Sequence, residues 1–284
     1  MMTQQTEPGW FRLRTVNFSQ LDELENCLED FARRALDGVL IREVYPADYM
    51  QEISARIERH EPPFYIFPPL GQPSEVRKFR HLYGITLVAA AQDLNQYFDV
   101  AESFRTHCRQ LFSDDVDFEE RISRIFETCS GGRSVALPHT VDGRIYMPAT
   151  IRILPEGSGI DLHCDNTLSH HPTYAHLKTV CDVSNQLAYF LTINTPHEGG
   201  ELIVYERRWA QEDDTATQYV MQKNASMVEG CDWVTLKPQP GDMILFAGGR
   251  HYHRVTESVG PRPRHTIGGF ITNALEGDAL YYWS

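Results

Sequence analysis

The sequence predicts a mixed α/β (α+β) fold: a jelly-roll (cupin-like) β core behind an N-terminal helical layer. Three observations carry this expectation. Apolar residues recur at helical spacing through the first half of the chain. Beyond Gly131-Gly132 the period shortens to that of strands, and the later half is punctuated by the turn sequences PEGSG, PHEGG, KPQPGD and AGG. Many short strands separated by Gly and Pro turns suggest a sandwich or barrel. One domain over residues 1–284 is expected, with 1–132 as the helix-rich support and 133–284 as the β core.

Residues 1–9 read as a loose tail. Ser19 precedes Leu21, Leu24, Leu28, Phe31 and Leu36, an apolar stripe at helical spacing, and Asp22 is placed for a capping box. Gly38 stops that helix, and Val39–Tyr45 reads as a strand. Pro46 opens a second helix that runs to about His60, and further helices are expected near 92–112 and 118–129. Strands are expected at 149–154, 160–163, 186–193, 201–205, 233–236, 243–246 and 265–272. The polar insertion 206–231 lies between two of them and leaves two readings open, a lid over the site or a solvated surface helix.

Charge and cysteine usage narrow the function. Thirty-nine acidic against twenty-six basic residues give a net charge of −13, which disfavours a surface that coats a nucleic-acid polymer. The make-up is 42% hydrophobic and 11% aromatic, ordinary for a soluble globular protein with a real core. No run of ~18 apolar residues suggests a membrane span, and the N-terminal residues do not read as a signal peptide. The six cysteines are scattered without a CxxC pair, so reduced thiols and a cytoplasmic location are expected. A small-molecule substrate fits this profile, and the oligomeric state is not legible.

His163-Cys164-Asp165 closes the strand expected at 160–163. Residues two apart share a strand face, so His163 and Asp165 point together and Cys164 points away as a packed thiol. An imidazole and a carboxylate on one face suit a divalent first-row metal, and one further His would complete a facial triad. Candidates for it are His251 and His253, which share a face of the segment after Met243–Phe246. Eleven residues beyond His253, Arg264 and Thr266 again share a face. H-x-D, a distant His and R-x-T in this order form the pattern of the iron(II)/2-oxoglutarate oxygenases, built on a double-stranded β-helix. Three protein ligands leave three metal sites, two for a 2-oxo acid and one for O2. Arg264 and Thr266 are suited to grip the far carboxylate of that acid.

Other segments get plainer readings. His170-His171 could mimic a metal pair, but adjacent strand residues face opposite ways. His197-Glu198-Gly199-Gly200 lacks the second His of a zinc-protease helix and reads as a turn. Trp209, Trp233 and Trp283 read as core or lid aromatics, and Lys178 as solvated.

Over nearly its whole length the sequence resembles the free-standing iron/2-oxoglutarate halogenases of hapalindole- and welwitindolinone-type alkaloid biosynthesis. The similar segments include Asp117–Glu120, Pro148–Arg152, His176–Thr179, Gly199–Leu202, Gly248–Arg250, Tyr252–Thr256, Thr266–Phe270 and Tyr281–Ser284. The resemblance implies Fe(II), 2-oxoglutarate and O2 as cofactor and cosubstrates. It also implies His253 as the third ligand, since the family carries Tyr at the position of His251. It places Phe79, Arg80, Thr86 and Ile160 near the substrate pocket. An Arg80 facing the metal would select an anionic substrate, such as an N-acyl amino acid or a nucleotide.

One departure matters. The halogenases carry Gly where this chain has Asp165, and that gap leaves room for chloride on iron. With Asp165 filling it, the resemblance implies a hydroxylase that oxidises an unactivated C–H and releases succinate and CO2. Desaturation, cyclisation or halogenation of an alkaloid-type natural product is the alternative outcome of the same chemistry. A non-catalytic cupin-like binding module is the alternative of another class.

Overall fold

The computed structural model describes residues 9–67, 81–90, 94–210 and 225–284. Its strands are β1 (Leu13–Asn17), β2 (Gly38–Arg42), β3 (Ile66–Phe67), β4 (His81–Tyr83), β5 (Ser134–Ala136), β6 (Thr150–Leu154), β7 (Ile160–His163), β8 (Leu187–Asn194), β9 (Glu198–Gly199), β10 (Leu202–Arg208), β11 (Trp233–Leu236), β12 (Met243–Phe246), β13 (His251–Val255), β14 (Ser258–Val259), β15 (Arg264–Asn273) and β16 (Ala279–Trp283). The main helices are α1 (Cys27–Ala32), α2 (Ala47–Glu58), α3 (Leu94–Leu111) and α4 (Phe118–Cys129).

Ten strands form one sheet in the order β1-β2-β12-β8-β15-β6-β4-β3, with β16 paired to β15 and β5 paired to β16. A smaller sheet runs β11-β10-β13-β7, and β9 and β14 make a two-stranded ribbon. Strand β12 is buried at all four positions, as an apolar run covered on both sides should be. Side chains of both sheets line one cleft, among them His163, His253 and Val255 from the small sheet and Ala188, Phe190 and Arg264 from the large one. The helices cover the other side of the large sheet. Ser54 of α2 bonds His265 of β15 at 3.0 Å, and Phe126 of α4 meets Tyr189 of β8 edge-on with ring centroids 5.0 Å apart. Tyr97 of α3 donates to the Ser284 carbonyl at 2.8 Å.

The helix expected from Ser19 through Leu36 is interrupted. A 3-10 turn, Phe18–Leu24, is followed by the short α1, and Asn26 between them takes φ 61°. Asn26 donates its N–H to Thr128 O, and its side chain lies where a Cβ on Gly131 would stand. This tertiary contact overrides the helical stripe. Asn17, and not Ser19, caps the turn: Ser19 donates its N–H to Asn17 Oδ1 at 2.9 Å. Strand β2, expected over Val39–Tyr45, stops at Arg42, because Glu43 turns to φ 57° and donates its N–H to Asp242 Oδ1.

Helix α4 and strands β7, β11 and β12 match the expected bounds. Strands β1, β3, β4, β5, β9, β14 and β16 were not expected, the Glu198-Gly199 pair of β9 reading as part of a turn in the sequence, and β13 was foreseen only as the setting of the two histidines. Strand β10 runs on to Arg208, so the first residues of the expected lid belong to a strand, and 211–224 lie outside the described residues. Trp283 is fully buried, but Trp233 is exposed on β11, contrary to the core or lid reading.

His265 is 1% exposed and burial pushes its pKa down to about 4 from 6.5. The folded state holds it neutral, so the unfolded chain takes up the proton first as pH falls below 6.5. Its contribution is therefore full above pH 6.5, declines through the window down to about 4 and is flat below. Linkage gives a loss of about 2 kcal/mol between pH 7 and 5 from this group alone. Urea unfolding of wild type and His265→Gln at both pH values should show the variant's pH dependence flatter by that amount.

Candidate metal centre

Strand β7 ends at His163, and its neighbour β13 sets His253 directly opposite in register. The two rings lie 4.2 Å apart between centroids. Beyond Cys164 the chain bends into a 3-10 turn that begins at Asp165, and this turn carries the carboxylate back toward both imidazoles. Asp165 Oδ1 lies 3.8 Å from His163 Nε2, and Oδ2 lies 3.8 Å from His253 Nε2. All three residues offer donor atoms within 4.8 Å of one another. Each 3.8 Å separation is less than twice the ~2.1 Å bond of a divalent ion to N or O, so one ion reaches both members of each pair.

The tautomers agree. His163 Nδ1 donates to the Asp161 carbonyl at 2.7 Å, and His253 Nδ1 donates to the His251 carbonyl at 2.9 Å. With the protons on Nδ1, both Nε2 lone pairs point to the group, the arrangement of metal-bound histidines oriented by outer hydrogen bonds. Asp165 Oδ2 is buried without a hydrogen-bond partner. Burial pushes the Asp165 pKa up, against the opposing pull of the neighbouring His253 and Arg152 side chains. A buried carboxylate oxygen with nothing to accept is costly, and a cation is the group that would satisfy it. The donor set therefore fits Fe(II).

The backbone of Asp165 is fixed on both sides. Its N–H donates to Gly248 O at 3.0 Å, and its carbonyl accepts from Gln186 Nε2 at 2.6 Å. A Cβ on Gly248 would overlap Asp165 Oδ2, so only glycine lets the carboxylate lie where it does. Cys164 is buried and turned away, with Sγ toward the carbonyls of Gly248 and Gly249, as the strand alternation requires.

Arg264 and Thr266 lie on β15 and line the same cleft. Arg264 is 4% exposed, donates to Thr266 Oγ1 at 3.4 Å and lies over the Phe190 ring at 5.1 Å. Among the described residues it has no acidic partner. Burial first, and the Arg152 charge second, push its pKa down. A buried guanidinium without a counter-ion calls for an anionic ligand, and the carboxylate of 2-oxoglutarate fits this donor fork.

His251 is not part of the donor group; its ring reaches Asp37 instead. His170 ends the 3-10 turn that Asp165 begins, and His171 caps the next turn by accepting the Thr173 N–H; neither belongs to the donor group. Ile160 lines the cleft. Thr86 does not; its hydroxyl accepts the Ala89 N–H in a turn. Phe79 and Arg80 lie outside the described residues. Sequence reasoning missed Gln186, for which no pattern pointed to a role. The role of Gly248 was half-visible in the Gly248–Arg250 segment.

A family model described as carrier-protein-independent halogenase WelO5 matches residues 10–284. No curated protein matches the chain. Among solved structures the chain is similar to an N-substituted L-amino acid dioxygenase from Burkholderia ambifaria AMMD, with TM-score 0.55 and 16% identity over 90% of each chain. The same enzyme in complex with alpha-KG gives TM-score 0.54 and 16% identity over 91% of this chain and 90% of that one. At this identity the likeness shows a shared mixed α/β fold. No helix of the described residues is long and apolar enough to cross a membrane.

Gly248→Ala should push the Asp165 carboxylate out of the group while leaving both sheets paired. Metal affinity, measured by titrating Co(II) into stripped protein, is expected to fall ~10–100-fold with little change in melting temperature.

Proposed function

The chain belongs to the carrier-protein-independent halogenase WelO5 family as an Fe(II)/2-oxoglutarate-dependent oxygenase, and from that premise we propose that it hydroxylates an unactivated C–H of a small molecule. The observation that carries the reading is Asp165: its carboxylate stands between two imidazoles, where the resemblance to the halogenases expects a glycine and a halide. We take the two sheets to form the double-stranded β-helix expected from the sequence, within one domain over 1–284. An enzymatic role displaces the binding-module alternative.

Iron and 2-oxoglutarate, when bound, supply the oxidising chemistry: substrate C–H, O2 and 2-oxoglutarate become alcohol, succinate and CO2. The protein's part is placement. His163, Asp165 and His253 would hold the metal, and the hydrogen bonds at Nδ1 of both histidines leave each Nε2 free to face it. Arg264 takes the distal carboxylate of 2-oxoglutarate by its guanidinium fork, and Thr266 adds a hydroxyl. Phe190, Phe246 and Val255 line the cleft with apolar surface and keep water out. With iron bound, the Asp165 carboxylate would take the place that a halide needs.

An anionic substrate, such as an N-acyl amino acid or a nucleotide, is the class favoured by Arg80 in the sequence and by Arg152 on the cleft wall. Desaturation or cyclisation would need the same residues, and product mass separates the outcomes: one oxygen gained against two hydrogens lost.

Anaerobic addition of Fe(II) and 2-oxoglutarate to stripped protein should raise the weak visible charge-transfer band of the chelate. His253→Ala should abolish the band, and Arg264→Ala should raise the 2-oxoglutarate concentration needed by ~10-fold or more, the loss of a charged hydrogen-bonded contact. Wild type that binds neither metal nor 2-oxoglutarate would sink the oxygenase reading. In Asp165→Gly, saturating chloride should shift the band, whereas wild type should not respond to chloride. A chloride response in wild type would overturn the hydroxylase assignment.

A further inference from the structure

We propose that Asp37 and His251 are positioning residues for the ligand His253. The Asp37 carboxylate holds the His251 ring, and the His251 carbonyl holds the nitrogen of His253 that must face away from the metal. The inference rests on the reading of His163, Asp165 and His253 as a metal centre.

Asp37 is the residue before β2 and is fully buried. Its Oδ2 accepts from the Arg12 N–H at 3.1 Å and from Arg12 Nε at 3.4 Å. Its Oδ1 accepts from Arg250 Nη1 at 3.2 Å and lies 3.4 Å from His251 Nε2. At the other end of the imidazole, Nδ1 meets the Tyr205 carbonyl at 3.1 Å. Trp10 and Phe11 pack against the ring with centroids 5.8 and 6.0 Å away. The fully buried His251 is thus gripped at both nitrogens and on its faces.

This grip compensates a fault in the sheet. Strand β13 pairs with β10 at His253↔Val204 and next at Arg208↔His251, with a register shift between. Three residues of β10 therefore stand opposite one of β13, and the ladder that would fix the peptide after His251 is broken there. Tyr205 lies inside that irregular stretch, and its carbonyl is occupied by the His251 ring. The side chain thus supplies an anchor where the regular main-chain ladder is interrupted. The peptide matters because its oxygen is the acceptor for His253 Nδ1. If it turns, the His253 ring loses the bond that selects its tautomer and orientation. A buried polar network is also an expensive filler, since an apolar side chain would occupy the same space without desolvating a carboxylate.

The test uses the full chain, stripped of metal and titrated with Co(II), with the visible absorption of the bound ion giving both the Kd and the ligand geometry. His251→Phe should weaken Co(II) binding ~10–100-fold and shift the spectrum. Asp37→Asn should change both in the same direction, and it carries the test if His251→Phe does not fold. His251→Gln, which keeps a donor toward the Tyr205 carbonyl or Asp37, should recover part of the affinity. Variants that melt earlier but bind Co(II) with wild-type Kd and spectrum would show a purely structural network and overturn the proposal. If wild type itself takes up no Co(II), the metal-centre reading falls and the positioning role falls with it. If only the variants match wild type, the positioning role alone falls.

Discussion

Asp165 and Arg264 are buried charges of opposite sign that line one cleft without forming an ion pair with each other. Each is several kcal/mol costlier than a paired or exposed group would be, and the surrounding structure sustains that cost by packing. Had the two met, the cleft would be neutral, closed and inert. Held apart, the carboxylate oxygen that accepts nothing and the guanidinium that meets no acid among the described residues define complementary places for a cation and for an anion. Ligands that satisfy both would stabilise the folded state by mass action, so metal and 2-oxoglutarate binding should raise the stability of the whole fold.

The sheets divide this work. The small sheet sets His163 and His253 opposite each other, where register alone ensures their approach. The large sheet places Arg264 and Thr266 on one face of β15, with β6 and β8 pairing along its flanks. Asp165 belongs to neither sheet. It stands on the turn after β7, and its position is dictated by Gly248 after β12 and by Gln186 before β8. The residue that distinguishes this chain from the halogenases it resembles is thus placed by contacts from the large sheet, whereas the other two donors are placed by the small one.

Much of the centre was legible in the sequence, because alternation along a strand is a local rule. Arg264 and Thr266 could be paired on paper and share a face of β15; His163 and Asp165 were paired by the same rule and do meet in the cleft, but a turn after β7 is what brings the carboxylate there. The choice between His251 and His253 was not local. Both satisfy alternation, and what separates them is Asp37, more than two hundred positions earlier. Helix α4 was legible to the residue, since its Asp117 cap and apolar stripe act within the helix. The break at Asn26 was not, because it answers to a glycine of another segment. The edge strand β5 gave no signal of its own, for a short strand is defined by its neighbour.

The same long-range ties dictate how the protein must be assembled. Strands β1 and β2, both near the start of the chain, pair with each other, but the other flank of β2 is filled by β12, and the Asp37 carboxylate waits for Arg250, 213 residues later. During synthesis this ribbon therefore presents an unpaired, apolar edge until nearly the whole chain has emerged. Folding of such non-local pairings is slow, and the exposed edge is where a nascent chain would stick to others or be held by a chaperone. The ligand strand β13, bonded back to this ribbon through His251 and Asp37, is synthesised after β12, so competence to take up metal cannot precede the emergence of nearly the whole chain.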